Sequence, residues 1–244
     1  MIYQNILSAK KQGKKLLAIL LDPDKMNIDG LSESLTQLRD SKVDYIFVGG
    51  STVKEGVTQE LVKQLKQQTS IPIILFPGHY SQITSHADAI LFLSLISGRN
   101  PEYLINQQVK AVPLIRSSGL EVIPTGYILI DGGKETAVQK ISKTQPLRSK
   151  DILEITDTAC AGMYMGKKII YLEAGSGALK PVHKSVIRAV RNDIDIPIIV
   201  GGGIRTEEEL AQAYQSGADL VVIGTAFEEN NEILTKIKKN EHIH

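Results

Sequence analysis

Apolar residues fall in short, nearly unbroken runs, with amphipathic stretches between them along the whole chain. Eight runs have strand length and β-branched content: 16–21 "LLAILL", 43–48 "VDYIFV", 71–76 "IPIILF", 89–95 "AILFLSL", 121–130 "EVIPTGYILI", 168–173 "KIIYLE", 197–200 "PIIV" and 219–223 "DLVVI". Few polar residues interrupt them, as expected of strands covered on both faces. Some are entered through polar or proline punctuation, such as "SIP" at 70–72 and "DIP" at 195–197.

Helical periodicity occupies 29–41, 56–68, 101–117, 149–164, 181–192 and 206–216, with a tail helix from about 229 and a further helix at 2–12. The stretch from 206 carries its own punctuation: Thr206 can cap it, Glu209 sits at the capping-box position, and Gly217 can end it.

Eight strands separated by helices in 244 residues predict a (β/α)8 barrel, one domain spanning 1–244. Two steps are irregular. Between the third and fourth strands lies only "PGHYSQITSHAD", too short for a crossover helix and its loops, so the third helix should be missing or reduced to a turn. After the fifth strand, 131–150 is a long polar insertion, expected to be a lid or a mobile segment. A doubly wound open sheet would require a glycine-rich turn after the first strand, where this chain has "LDPDK".

Composition narrows the partners. Hydrophobic residues make up 42%, enough for a sizeable core, and Lys+Arg 28 against Asp+Glu 27 offers no case for nucleic acid. Lys10, Lys11, Lys14 and Lys15 read first as a solvated helix end, with a peripheral membrane contact as the other reading. Cys160 is the only cysteine, which excludes an intrachain disulfide, fits a reducing compartment and reads as a packing residue. The N-terminus lacks a signal-peptide apolar region, and 16–21 is far too short for a membrane span, so the expected location is cytoplasmic.

Chemistry in such a barrel collects at the C-terminal ends of the strands. Those ends read "LDPDK", "VGGST", "FPGHY", "SLISGRN", "TGYILIDGG", "YLEAGSG", "VGGGIRT" and "IGTAFEEN". Gly201, Gly202 and Gly203 after strand seven, with Gly224 and Thr225 after strand eight, stand at the usual phosphate corner. Gly175, Ser176 and Gly177 can extend that cup, and Arg205 either adds charge or points outward. Glu173, ending strand six beside them, is a candidate general base for a substrate hydroxyl. Asp22 and Ser51 end adjacent strands, and two hard oxygens suit Mg²⁺ held largely by substrate phosphate and water. Asp24 is the rival ligand, turned away by Pro23. The histidines form no metal set: His79 can line a pocket, His183 falls near a helix start, and His86, His242 and His244 read as surface residues.

Together "LLDPDK", "VGGST", "LFPG", "YLEAGSGA", "VGGGIRT" and "VIGTAFEEN", in this order along nearly the whole chain, resemble the geranylgeranylglyceryl phosphate synthase family and its bacterial heptaprenylglyceryl phosphate relatives. The reduced third helix resembles that family too. The resemblance implies a prenyltransferase that joins an allylic prenyl diphosphate, geranylgeranyl diphosphate being the expected donor, to the 3-hydroxyl of sn-glycerol-1-phosphate for ether-lipid synthesis. It implies Mg²⁺ on Asp22 and Ser51, glycerol phosphate along Tyr171, Leu172, Glu173, Ala174, Gly175, Ser176 and Gly177, and its phosphate on Gly202, Gly203, Gly224 and Thr225. It also implies a homo-oligomer, a dimer or hexamer, the "LLDPDK" form being similar to the branch with larger assemblies. Some relatives carry a lysine where this chain has Leu20, which removes one phosphate contact. The prenyl tail would need an apolar channel, with "ILFLSLI" and "YILI" as candidate walls. Two other readings compete: a sugar-phosphate epimerase or isomerase, which would want a second acid/base facing Glu173, and a non-catalytic phosphoglycerol-binding protein.

Overall fold

The structure, a computed structural model, describes residues 1–26 and 42–224. Eight parallel strands close into a barrel in chain order: β1 Leu16–Leu21, β2 Tyr45–Val48, β3 Ile73–Leu75, β4 Ala89–Leu95, β5 Glu121–Leu129, β6 Ile169–Glu173, β7 Ile198–Gly201 and β8 Leu220–Ile223. β1 pairs with β2 on one side and β8 on the other, which closes the ring. The helices expected at 29–41 and from about 229 lie outside the described residues.

Successive strand residues point to opposite faces, and this divides the core in two. Leu17, Ile19 and Leu21 of β1 pack outward against helices, with Leu61, Leu65 and Val186 among their cluster. Leu16 and Ala18 point inward with Tyr45, Phe47, Ile74 and Tyr171. Ile2, Ile6 and Ala9 of the first helix, α1 Ile2–Lys11, join this inner cluster. The Glu121 carboxylate accepts from the amides of Ile2 and Tyr3, tying the start of α1 to the start of β5.

Aspartates finish the entry rim. Asp44, Asp88 and Asp219 stand just before β2, β4 and β8, and each accepts the first amide, or near it, of a neighbouring strand: Leu17 at 3.0 Å, Ile73 at 2.7 Å and Ile198 at 2.8 Å. Each carboxylate also meets a cation, respectively Lys14, Lys66 and Arg191. Strand-end amides have no ladder partner of their own, and a buried one left unpaired is costly.

Both irregular steps have physical form. Between β3 and β4 there is only a 3-10 turn, Tyr80–Gln82, so the third helix is reduced as its short segment requires. The insertion after β5 has regular structure of its own. It holds a helix, Ala137–Ser142, capped by the Thr136 side chain, which accepts from the Gln139 amide. It then returns to the barrel through a bridge between Ile130 and Leu147. After β4 the chain winds as a π-helical turn at Glu102–Asn106 and continues as an α-helix at Gln107–Arg116. The helix Glu207–Gln215 carries the full capping box of Thr206 and Glu209.

Candidate active site

The inward face of each strand decides what the C-terminal mouth presents. Leu20 and Asp22 continue the inward positions of β1, Phe76 that of β3, Tyr127 that of β5, and Tyr171 and Glu173 those of β6. All six line one cleft of about 1050 Å³, counted to its open mouth, together with Lys25, Ser51, Ser176, Gly202, Gly203 and Gly224.

Glu173 is 5% exposed. The Gly175 amide donates to its Oε1 at 2.6 Å. Burial raises its pKa to about 7; the Gly175 amide and the Tyr171 hydroxyl act the other way. Removal from water disfavours the charged form more than two nearby donors favour it. The Tyr171 hydroxyl is buried and stands by the carboxylate without completing a hydrogen bond, to it or to any other described residue. Burial first, and then the charge of Glu173, raise the pKa values of Tyr171 and Tyr127. A deprotonatable carboxyl is thus held among phenols that stay protonated.

Glycine lets the β7 turn lie directly on this group. A Cβ at Gly201 would come within 2.4 Å of the Tyr171 hydroxyl and 2.8 Å of Glu173 Oε2. One at Gly202 would come within 2.4 Å of Glu173 Oε1, and its φ of +82° is itself left-handed. Gly224 is different: among the described residues, the nearest atoms a Cβ there would meet belong to Leu20, at 3.5 Å and beyond. Its lack of a side chain leaves the mouth open, and no described residue crowds the position.

Asp22 faces the cleft beside Gly50, whose Cβ would sit 2.9 Å from Asp22 Oδ1. Ser51 follows directly, so the carboxylate and hydroxyl come from neighbouring strand ends into one space. Lys25 Nζ is 3.6 Å from Asp22 Oδ2. Asp24 turns aside: its Oδ1 accepts from the Lys54 amide at 3.3 Å and its side chain is exposed. Among the described residues no group of three His, Cys, Asp or Glu is gathered as a ligand set.

A second cavity of about 820 Å³ adjoins the first and is walled largely by apolar side chains. Ile90, Leu91, Phe92, Leu93 and Leu95 of β4 form one wall, and Tyr103, Gln108 and Ala111 another. Of "YILI", only Tyr127 reaches it. The two cavities share Gly50, Ser51, Phe76, Tyr127 and Val138. Val138 comes from the insertion helix, so that segment is a wall of both cavities. The Gln108 side chain donates to the Leu93 carbonyl, while its Oε1 is buried without a partner among the described residues.

The remaining candidates separate by strand parity and by place. Leu172 and Ala174 point outward into the helix-facing core, so their side chains lie away from the cleft. Gly177 has open space around it and does not line the cleft. Thr225, His242 and His244 lie outside the described residues. Arg205 lines the cleft and donates to the Gly203 carbonyl at 3.2 Å. His79 lines the apolar cavity and caps the 3-10 turn; His183 caps the helix Lys184–Asp193. Cys160 packs against the outer core. Of the four clustered lysines, Lys14 pairs with Asp44, and Lys15 donates to the Ala218 carbonyl at 2.8 Å, both at the entry rim. Sequence reasoning missed Lys25, Phe76 and Val138 as cleft residues and placed Tyr127, within "YILI", only on the apolar channel. "DPDK" and "LFPG" contained the signal for two of them, but Val138 had none.

The fold and the site place this chain among the (β/α)8-barrel enzymes with a glycine-lined corner after strands seven and eight. The chain belongs to the PcrB family, whose pattern matches residues 10–241. It is 54% identical over 230 residues to a geranylgeranylglyceryl phosphate synthase of Flavobacterium johnsoniae, covering 94% of this chain and 95% of the relative. Its identity to the Thermococcus gammatolerans protein of the same name is 39% over 241 residues, or 98% and 95% of the two chains. The crystal structure of (S)-3-O-geranylgeranylglyceryl phosphate synthase from Thermoplasma acidophilum, in complex with its substrate sn-glycerol-1-phosphate, superimposes with a TM-score of 0.91 at 33% identity, covering 98% of this chain and 97% of that one.

Proposed function

We propose that this protein is a prenyltransferase joining an allylic prenyl diphosphate, geranylgeranyl diphosphate being the expected donor, to the 3-hydroxyl of sn-glycerol-1-phosphate, with Mg²⁺ and as a homo-oligomer. The observation that carries this reading is the adjacency of two unlike cavities: the cleft holding Glu173, Asp22 and the glycine corner adjoins a more apolar cavity suited to a prenyl channel, with Phe76 and Tyr127 lining both. An isomerase of small sugar phosphates has no use for such a channel.

The donor set fits Mg²⁺. Asp22 and Ser51 offer hard oxygens on one side of the cleft, and the carboxylate already faces a cation, Lys25. Bound there, the ion would neutralise charge on the diphosphate leaving group.

The chain's own groups account for the rest. The turns at Gly202, Gly203 and Gly224 offer backbone amides to the acceptor's phosphate. With the phosphate anchored, the far hydroxyl of glycerol is directed toward Glu173. The glycerol oxygen supplies the electron pair for the new C–O bond, its proton passes to Glu173, and the donor's C–O bond breaks with its pair leaving on diphosphate. A base near neutrality suits this step, because proton transfer follows attack on an already electron-poor carbon. The apolar walls exclude water that would otherwise capture that carbon.

Incubation with labelled sn-glycerol-1-phosphate, Mg²⁺ and prenyl diphosphates of several lengths tests the proposal. Formation of the prenyl ether, with a length preference, is expected. Absence of any labelled lipid with every donor would overturn it.

A further inference from the structure

We infer that Phe76 is a catalytic residue: the face of its ring stabilises the positive charge that develops on the donor's allylic carbons as the bond to diphosphate breaks. The inference rests on the prenyl-transfer reading above and adds to it a group that acts on the donor.

The "LFPG" segment ends β3 on an inward-facing aromatic side chain. Phe76 is half-buried and lines both cavities. Its ring stacks on Tyr171 with centroids 5.1 Å apart and planes inclined by 27°. Tyr127 lies at 6.0 Å, and Phe47 completes the cluster below at 6.3 Å. Tyr171 shares its strand face with Glu173. The aromatic group therefore lies where the apolar channel meets the polar cleft, with Ser51 on one side and the β6 carboxylate on the other.

A donor whose diphosphate lies toward Asp22 and Ser51, and whose tail fills the channel, must pass its reacting carbons across this junction. Five residues are common to both cavities: Gly50, Ser51, Phe76, Tyr127 and Val138. None is ionised, so charge there must be met by dipoles or ring faces. An aromatic face carries negative potential and attracts a cation without bonding to it. A carboxylate at the same point would capture the carbon as an ester; Glu173 is held apart, at the glycerol side.

The ring sits on backbone that cannot easily shift. A Cβ at Gly49 would fall 1.9 Å from the Phe76 carbonyl oxygen, and one at Gly78 2.5 Å from the Gly50 carbonyl oxygen. The Phe76 amide donates to the Val48 carbonyl at 2.8 Å. The β2 and β3 ends are thus packed without a side chain between them, which fixes Phe76 relative to Ser51. Such fixed placement is what electrostatic stabilisation of a transition state requires. The ring gains and loses no bond in the step.

The test replaces Phe76 by phenylalanines carrying one, two and three ring fluorines, introduced by nonsense suppression. Fluorine drains the ring face of negative potential with little change of shape. Single-turnover rates are measured with sn-glycerol-1-phosphate, Mg²⁺ and geranylgeranyl diphosphate, alongside donor binding by calorimetry and thermal unfolding. The logarithm of the rate should fall stepwise with each fluorine, by about 10-fold over the series, with donor affinity and Tm nearly constant. Phe76→Leu should lose at least as much, and Phe76→Tyr should retain most of the rate. A flat rate across the fluorinated series, or a loss confined to donor affinity, would overturn the inference and leave the prenyl-transfer reading standing. A wild-type protein that makes no prenyl ether would remove that reading, and this inference with it.

Discussion

Gly175 and Glu173 are joined by a 2.6 Å hydrogen bond from the glycine amide to Oε1 of the carboxylate, one strand end folding back on itself. The contact orients the carboxyl group but does not offset the loss of water around it, and its pKa stays at about 7.

This predicts a pH dependence of both rate and stability. The reactive form is the carboxylate, so turnover should rise as pH passes through about 7. For stability the sign is reversed from the usual carboxylate. The native state holds a proton that the unfolded chain has already released, so stability falls between the ordinary carboxylate range and about pH 7, then levels off. The full penalty is roughly 3 kcal/mol. Glu173→Gln should narrow the difference in Tm between about pH 5 and about pH 8.5 while lowering kcat by ~10²-fold or more. Near wild-type turnover in this variant would leave Glu173 an orienting group only.

Two glycines of the phosphate corner should behave differently. Gly202→Ala places a Cβ 2.4 Å from Glu173 Oε1 at a left-handed φ, so both Tm and activity should fall. Gly224→Ala has room among the described residues, the nearest being Leu20 at 3.5 Å. It should keep its Tm and raise KM for sn-glycerol-1-phosphate, with prenyl diphosphate binding unchanged. An unaltered KM would move the phosphate away from Gly224.

Asp22→Asn should weaken Mg²⁺-dependent binding of prenyl diphosphate, because the amide offers a neutral oxygen where the ion needs charge. Glycerol phosphate, held across the cleft, should bind as before. Calorimetry with each substrate, with and without chelator, separates the two halves. Loss of glycerol-phosphate binding alone would contradict the assignment.

At the opposite rim, Asp219 accepts from the Ile198 amide and pairs with Arg191. Asp219→Ala leaves the Arg191 guanidinium on the Gly217, Ile194 and Ile196 carbonyls without its carboxylate, and the Ile198 amide without its acceptor, and should cost about 3 kcal/mol in denaturant unfolding. Below its midpoint the folded variant should keep its KM for both substrates, since the pair is remote from the mouth. A changed KM would mean that the rim is coupled to the site.

Much of this architecture is already legible in the amino-acid sequence. Apolar runs long enough for a strand, with no space for polar alternation, require burial on both faces, and eight of them with helices between leave a closed parallel barrel as the natural solution. The dozen residues before Ala89 cannot hold a crossover helix, and the structure has a single turn there. Glycine at Gly202 and carboxylates at Asp22 and Glu173 are legible too, because they interrupt apolar chain at strand ends.

Other features were decided only in three dimensions. A strand that is apolar on both faces carries no mark of which face is inward. That Tyr171 and Glu173 look into the barrel while Leu172 and Ala174 look out follows from closure of the ring, not from their chemistry. The insertion at 131–150 reads as a polar loop because its apolar residues are few. Val138 becomes a wall of both cavities only because the segment is pinned back to the barrel through Leu147. The "LFPG" segment puts Phe76 at a strand end, but nothing in it says which cavity the ring meets. Its position at the junction depends on β2 and β3 ending side by side, with glycines that let their backbones touch. Sequence periodicity records how far a segment must be buried, whereas the neighbours that bury it, and the space they leave open, are properties of the packed chain.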